Sequence, residues 1–247
     1  MDRLIYTVAS GTKHILEQQA TTSNNLANVS TTGFRAQLDS FRAVPVQSEG
    51  LPTRAFVVDN TVGSDFSAGA LQVTGRDLDV AVKGRGWLTV RNADGTESYT
   101  RNGSLQVGPN GILQTAGGQV IAGENGGPIT IPPDTTVSVG TDGTIATLST
   151  NTTPAASTVL GRLKLVNPNE ADLVRGDDGL FRLKDGSSAP SDPAVGVAGG
   201  ALEGSNVSAV DSMVNMITLA RSFETQMSLL KNAENNAAKA TQILALN

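Results

Sequence analysis

From Met216 onward the apolar positions Leu219, Phe223, Met227, Leu230, Ala233, Ala237, Ala240 and Leu244 advance 28 residues in eight steps of three or four. A mean step of 3.5 residues keeps one seam of an α-helix turned toward a partner helix, as in a coiled coil. The stretch 207–246 contains neither Gly nor Pro, although the chain has 27 and 10 of them. Ser208, with Asp211 three places on, reads as a capping box that marks the start of this helix. Its length is about 55 Å, more than a small domain can cover. The seam therefore needs a second long helix of the same chain or neighbouring copies of the protein.

The N-terminus supplies a second helix. Leu4, Val8, Gly11, Ile15, Gln19, Thr22 and Leu26 recur at helical spacing, forming a thin and partly polar stripe. Short helices are marginal in water on their own, so this segment is expected to order only among helical neighbours. It should end near Asn28, because Ser30, Thr31, Thr32 and Gly33 favour turns. Between Phe34 and Gly75 the periodicity lapses, and Pro45, Gly50, Pro52, Gly63 and Gly69 break the chain into short apolar pieces. This is read as an extended connector with one or two strands. It is too long for an ordinary surface loop and suited to packing on a neighbouring subunit.

From Gly75 to Gly200 the signals are those of β structure. Short apolar runs at 78–82, 87–91, 98–101, 112–114, 129–131, 137–139, 144–148, 160–166 and 179–183 are candidate strands. Asp94-Gly95, Asn110-Gly111, Asp142-Gly143 and Asp178-Gly179 supply the positive φ of tight turns between or beside them. Residues 63–204 hold 24 of the 27 glycines, so composition changes where the pattern does. The expected fold class is α+β, with paired, coiled-coil-like terminal helices flanking an inserted antiparallel β-rich domain. The expected division is a helical domain of residues 1–34 and 203–247, a connector of 35–75 and a β-rich domain of 76–202.

Composition narrows the function without naming it. Aromatic residues make up 4% of the chain, which argues against one large, heavily packed core. The formal net charge is −5 with no basic run, so nucleic acid is not an expected partner. There is no cysteine, which excludes disulfides and thiolate metal sites. No apolar run approaches the length of a membrane span, and Asp2 and Arg3 interrupt the opening, so no cleaved signal peptide is expected.

A search for chemistry finds no catalytic, cofactor-binding or metal site. His14 is the only histidine, and it is better read as a helix-face side chain in an interface than as a catalytic base or ligand. Asp77 with Asp79 and Asp177 with Asp178 sit at strand edges or turns, where aspartate bonds local backbone. Gly84-Arg85-Gly86 precedes a strand rather than a helix and so is no dinucleotide fingerprint. Arg175-Gly176-Asp177 spells an adhesion tripeptide, here placed in a hairpin turn. Asn102-Gly103-Ser104 and Asn206-Val207-Ser208 match a glycosylation acceptor by coincidence. Helical ends that pair while the middle projects outward suit a subunit of a tube or shaft, because repeated packing along one axis propagates without closing. Two readings from other classes are a secreted β-rich enzyme, which needs clustered catalytic groups, and an adhesin that uses the β domain alone.

Several runs carry a resemblance. Asn24-Asn25-Leu26-Ala27-Asn28-Val29-Ser30-Thr31-Thr32-Gly33-Phe34 resembles the N-terminal signature of the bacterial flagellar rod and hook protein family. Leu202-Glu203-Gly204-Ser205-Asn206-Val207, followed by Val214-Asn215-Met216-Ile217 and Arg221-Ser222-Phe223-Glu224, resembles its C-terminal signature. Leu78-Asp79-Val80-Ala81, Gly84-Arg85-Gly86-Trp87 and Tyr99-Thr100-Arg101-Asn102-Gly103-Ser104 resemble its β-domain motifs. Within the family, Met1-Asp2-Arg3-Leu4-Ile5-Tyr6 and Phe41-Arg42-Ala43-Val44-Pro45 are most similar to proximal rod subunits, with distal rod subunits the near alternative; hook subunits carry an additional outer domain.

The resemblance implies a structural, non-enzymatic subunit of the basal-body rod. It implies export through the flagellar type III apparatus without a cleaved signal peptide, and assembly in the periplasm with itself and other rod proteins to transmit torque in motility. It implies no cofactor and no small-molecule substrate. The assembly positions it points to are Val8, Ile15, Asn24, Asn25, Leu26, Asn28, Gly33 and Phe34 at one end, and Met216, Leu219, Phe223, Met227, Leu230 and Leu244 at the other. Gly33 would shape the bend out of the helix and Phe34 would anchor the connector. Gly204, where related rod proteins often carry Ala, departs from the pattern only in local stiffness. Full burial of Phe223 is worth about 2–3 kcal/mol per subunit, so Phe223→Asp is expected to abolish assembly while the β domain stays folded. Normal motility of that variant in soft agar would count against the seam.

Overall fold

The computed structural model describes residues 2–45, 55–149 and 157–244. Among the described residues are two long helices and an antiparallel β region. They form two compact units, one of residues 1–29, 36–65 and 207–247, the other of residues 30–35 and 66–206. The β unit thus includes residues 30–35, while residues 36–65 belong with the helices.

In the helical unit, α1 (Asp2–Ala27) and α2 (Ala209–Leu244) pack side by side. α1 closes where predicted: the Asn28 backbone N–H and its side-chain Nδ2 both donate to the Asn24 carbonyl, at 3.2 and 2.9 Å. α2 opens at Ser208, whose Oγ accepts from the Asp211 N–H at 3.3 Å, with Asp211 in the first turn where its charge suits the helix dipole. The expected connector is a long antiparallel hairpin of β1 (Gln37–Pro45) and β2 (Ala55–Ser64), with a shift in pairing between Ser40 and Phe41.

The β unit is built on one large antiparallel sheet. Its strands run in the spatial order Leu173–Arg175, Phe181–Leu183, Glu97–Thr100, Trp87–Arg91, Val120–Ile121, Leu113–Thr115 and Leu105–Val107, and Leu165–Val166 also pairs with Trp87–Arg91. A three-stranded sheet (Thr135–Val139, Thr144–Ser149, Ser157–Arg162) and two ribbons complete it. One ribbon pairs Val80–Lys83 with Gly196–Gly199, and the other pairs Leu71–Val73 with Ala201–Glu203.

Inward positions of these strands bury Val80, Val82, Leu88, Val90, Leu105, Leu113, Ile121, Ile145 and Leu165, joined by Leu163 from between two of them, in one aliphatic core. A second, aromatic core joins Trp87, Tyr99 and Phe181, with Phe66 packed against it; the Trp87 and Phe181 ring centroids are 4.7 Å apart. Four of the nine aromatic residues thus gather in one cluster. Segment 129–131, read as a strand, makes only an isolated bridge from Thr130 to Ile112, and the run 160–166 divides into two strands that serve different sheets.

The buried Tyr99 hydroxyl accepts the Ala189 N–H at 2.7 Å, tying the loop before the last ribbon to the sheet. Tyr99→Phe leaves that N–H without an acceptor, a loss of about 1–3 kcal/mol. Urea unfolding followed by the fluorescence of Trp87, the single tryptophan, measures it.

Candidate assembly site

The predicted site residues fall into two groups. In the helical unit, Val8 and Ile15 of α1 are buried and Leu26 is half-buried. On α2 a row of shielded positions, Ser212, Met216, Leu219, Phe223, Gln226, Leu230 and Ala233, steps alternately by four and three, and Ala209 and Ser222 are half-buried as well. This row differs from the sequence stripe at one level: Gln226 is half-buried, and Met227 is exposed. Gln226 faces Gly11, where an added methyl would sit 3.6 Å from its amide Nε2. The side chain of Leu244 lies outside the described residues.

The hairpin is tied to α1 by side chains of the N-terminal motif. The Asn25 amide makes a two-way bond to the Gln37 backbone, donating to its carbonyl at 2.9 Å and accepting its N–H at 2.8 Å. The Thr21 hydroxyl donates to Asp39 at 2.8 Å. Asn24 is exposed, and Asn28 is half-buried at the helix end. The His14 ring meets Phe41 edge-on, an apolar contact within the unit rather than a catalytic or ligating arrangement.

The second half of that motif lies in the β unit. Gly33 adopts a φ of 68°, and its N–H donates to the Glu203 carbonyl at 2.8 Å. Phe34 is buried beneath the Arg175 guanidinium, whose carbon is 4.4 Å from the ring centroid. Arg175 also donates to the Arg35 carbonyl at 2.9 Å, so the Arg-Gly-Asp tripeptide is engaged internally. Beside it lies a buried charge cluster. One oxygen of the Glu203 carboxylate accepts Arg35 Nη2 at 2.7 Å and the Gly69 N–H at 2.9 Å, and the other accepts Arg101 Nη1 at 3.1 Å. The three side chains are 0–5% exposed. Burial, opposed by the pull of Glu203 and reinforced by the repulsion of Arg35, lowers the Arg101 pKa.

Arg35, Arg101 and Glu203 were not read as site residues from the sequence, although each stands in or beside a quoted motif. A charge in a Gly-rich stretch reads as surface until its partners are known. Also absent from the predicted site are Val210, Met213, Val214 and Ile217, large apolar side chains of α2 that are more than half exposed. They lie on the helix face opposite the row from Ser212 to Ala233.

The remaining candidates for chemistry are engaged locally. Asp79 is buried and bound by Arg76 and the Thr74 hydroxyl, and Asp178 pairs with Arg182. No group of His, Asp and Glu among the described residues is placed to hold a metal ion.

Gly33→Ala places a Cβ into the Arg101 carbonyl at a backbone angle that L-residues resist. The angle alone costs about 1–3 kcal/mol, so the variant should unfold at clearly lower urea concentration than the parent.

Three family models match in order along the chain. Residues 5–35 match the flagella basal body rod protein model, 81–147 the flagellar hook protein FlgE/F/G D1 domain, and 198–243 the flagellar basal body rod FlgEFG protein C-terminal model. The chain is 46% identical to the flagellar basal-body rod protein FlgF of Salmonella typhimurium, and equally to that of Escherichia coli, with full coverage of all three chains. It is 31% identical to the rod protein FlgG of Buchnera aphidicola, over 90% of this chain and 92% of that one. The chain therefore belongs to the flagellar basal-body rod protein family, as an FlgF-like structural subunit.

Proposed function

We propose that the protein builds the proximal segment of the rod by packing α1 and α2 with the terminal helices of neighbouring copies and of other rod proteins, in a coiled-coil-like inner layer. In this reading it reaches the periplasm through the flagellar export apparatus without a cleaved signal peptide, takes no small-molecule substrate, and transmits torque. The terminal helices act as the assembly domain and the β unit as the projecting one.

One observation carries the reading. The first turns of α2 carry apolar residues on two faces: Met216 and Leu219 lie on the half-buried row, while Val210 and Ile217, 70% and 56% exposed, lie on the opposite face. A helix with apolar residues on two opposite faces needs packing partners on both, and a single α1 covers one side only. α2 is also ten residues longer than α1, which leaves about 15 Å of it with no α1 residue to face. The 46% identity to FlgF of Salmonella typhimurium and Escherichia coli, against 31% to FlgG of Buchnera aphidicola, favours the proximal over the distal position.

Ile217→Asp tests this. Because Ile217 is exposed in the single chain, its stability should change by less than about 0.5 kcal/mol, whereas burial of the carboxylate in an assembly is prohibitive. Loss of swimming with a normally stable purified subunit is expected. Normal swimming and intact basal bodies from the variant would sink the reading.

A further inference from the structure

We infer that Glu203 is a latch: the β unit closes only when both segments that flank it in sequence, 30–35 and 201–206, have docked. The carboxylate binds groups at great sequence separation, Arg35 at 168 residues, Gly69 at 134 and Arg101 at 102. All of these lie within the β unit. Its own backbone binds the same segments: the Glu203 carbonyl accepts from Gly33 at 2.8 Å, the Gly204 N–H donates to Ala70 at 2.8 Å, and the Asn206 N–H donates to Phe34 at 3.4 Å. One position thus joins the incoming segment, the start of the unit and the outgoing segment.

The charge balance makes the latch compulsory. Two guanidiniums are buried against a single carboxylate, and Arg35 Nε and Nη1 and Arg101 Nε have no hydrogen-bond partner among the described residues. Among the described residues no second acid pairs with Arg35. Before Glu203 docks, Arg35 must remain in water, because an ion buried without its partner costs more than the surrounding packing returns. With Arg35 in water, Gly33 and Phe34 cannot seat, and Arg175, whose guanidinium lies over the rings of both Phe34 and Phe181, loses one of its two partners. The inference concerns the single chain and stands apart from the assembly reading, so each can fail without the other.

Trp87 reports closure directly, since its ring centroid is 5.5 Å from the Arg101 guanidinium carbon. In the full-length protein, Glu203→Gln should lower the folding equilibrium constant by about a hundredfold or more, read from urea unfolding of Trp87 fluorescence. Arg35→Met combined with Glu203→Gln should lose much less than the product of the two single effects, because the two side chains act as one unit. Unchanged unfolding of Glu203→Gln, or independent effects in the double variant, overturns the latch. Should Glu203→Gln fail to fold, pulsed hydrogen exchange during refolding of the parent protein decides. The Gly33 and Gly69 amides must gain protection in the same phase as sheet amides such as Thr89, and earlier protection of the sheet overturns the inference.

Discussion

A carboxylate withdrawn from water between two guanidiniums dictates how the β unit can be put together. Desolvating three charges is costly, and their mutual attraction repays it only when geometry and hydrogen bonding are good. A trio of apolar side chains could fill the same volume, but it would tolerate many arrangements of the loops around it. The ionic trio tolerates one, since any displacement of Glu203 strands Arg35, whose side chain is fully buried. The close backbone contacts nearby fit the same demand: Gly69 lies so near the Gly204 carbonyl that a methyl group there has no room. Charge and backbone therefore fix the same meeting point from two directions.

The helical unit follows the opposite logic. Its shielded row mixes Met216, Leu219, Phe223 and Leu230 with Ser212 and Gln226, and on α1 the matching stripe includes Gly11 and Thr22. Little apolar area is removed from water by such a pairing, so hydrophobic gain is small. Much of the apolar surface stays outside the single chain's own contacts. The β unit buries two apolar clusters of its own, while α2 keeps a whole apolar face, Val210, Met213, Val214 and Ile217, exposed. This division fits a family whose members are subunits of a shaft.

Much of this architecture is legible in the sequence, for physical reasons. The helices announce themselves through a long stretch without Gly or Pro, a marked cap at Ser208 and helical spacing of apolar residues. Strand Trp87–Arg91 is recovered because four consecutive apolar or β-branched residues, Trp87 to Val90, stand between glycine turns. What escapes is equally instructive. Leu71–Val73, Gly196–Gly199 and Ala201–Glu203 are too short and too rich in glycine, alanine or exposed positions to show alternation, and each is a strand only because a distant partner supplies its hydrogen bonds. The charge trio is invisible for the same reason: pairings across more than a hundred residues leave no local period. The displacement of the seam from Met227 to Gln226 reflects a polar residue taking a sheltered place because the residue opposite is small.

That last feature has a mechanical meaning. Gly11 is a notch in α1 and the Gln226 amide is the peg that fits it. Sliding the helices by one heptad would bring Leu219 or Ala233 to the notch, leaving it either overfilled or empty, and would carry the peg into a place shaped for another side chain. A pair of helices with so thin an apolar seam could otherwise drift along its axis. A single glycine facing a single glutamine gives it a vernier mark, so that the pair holds its outer apolar face at one fixed height along the axis.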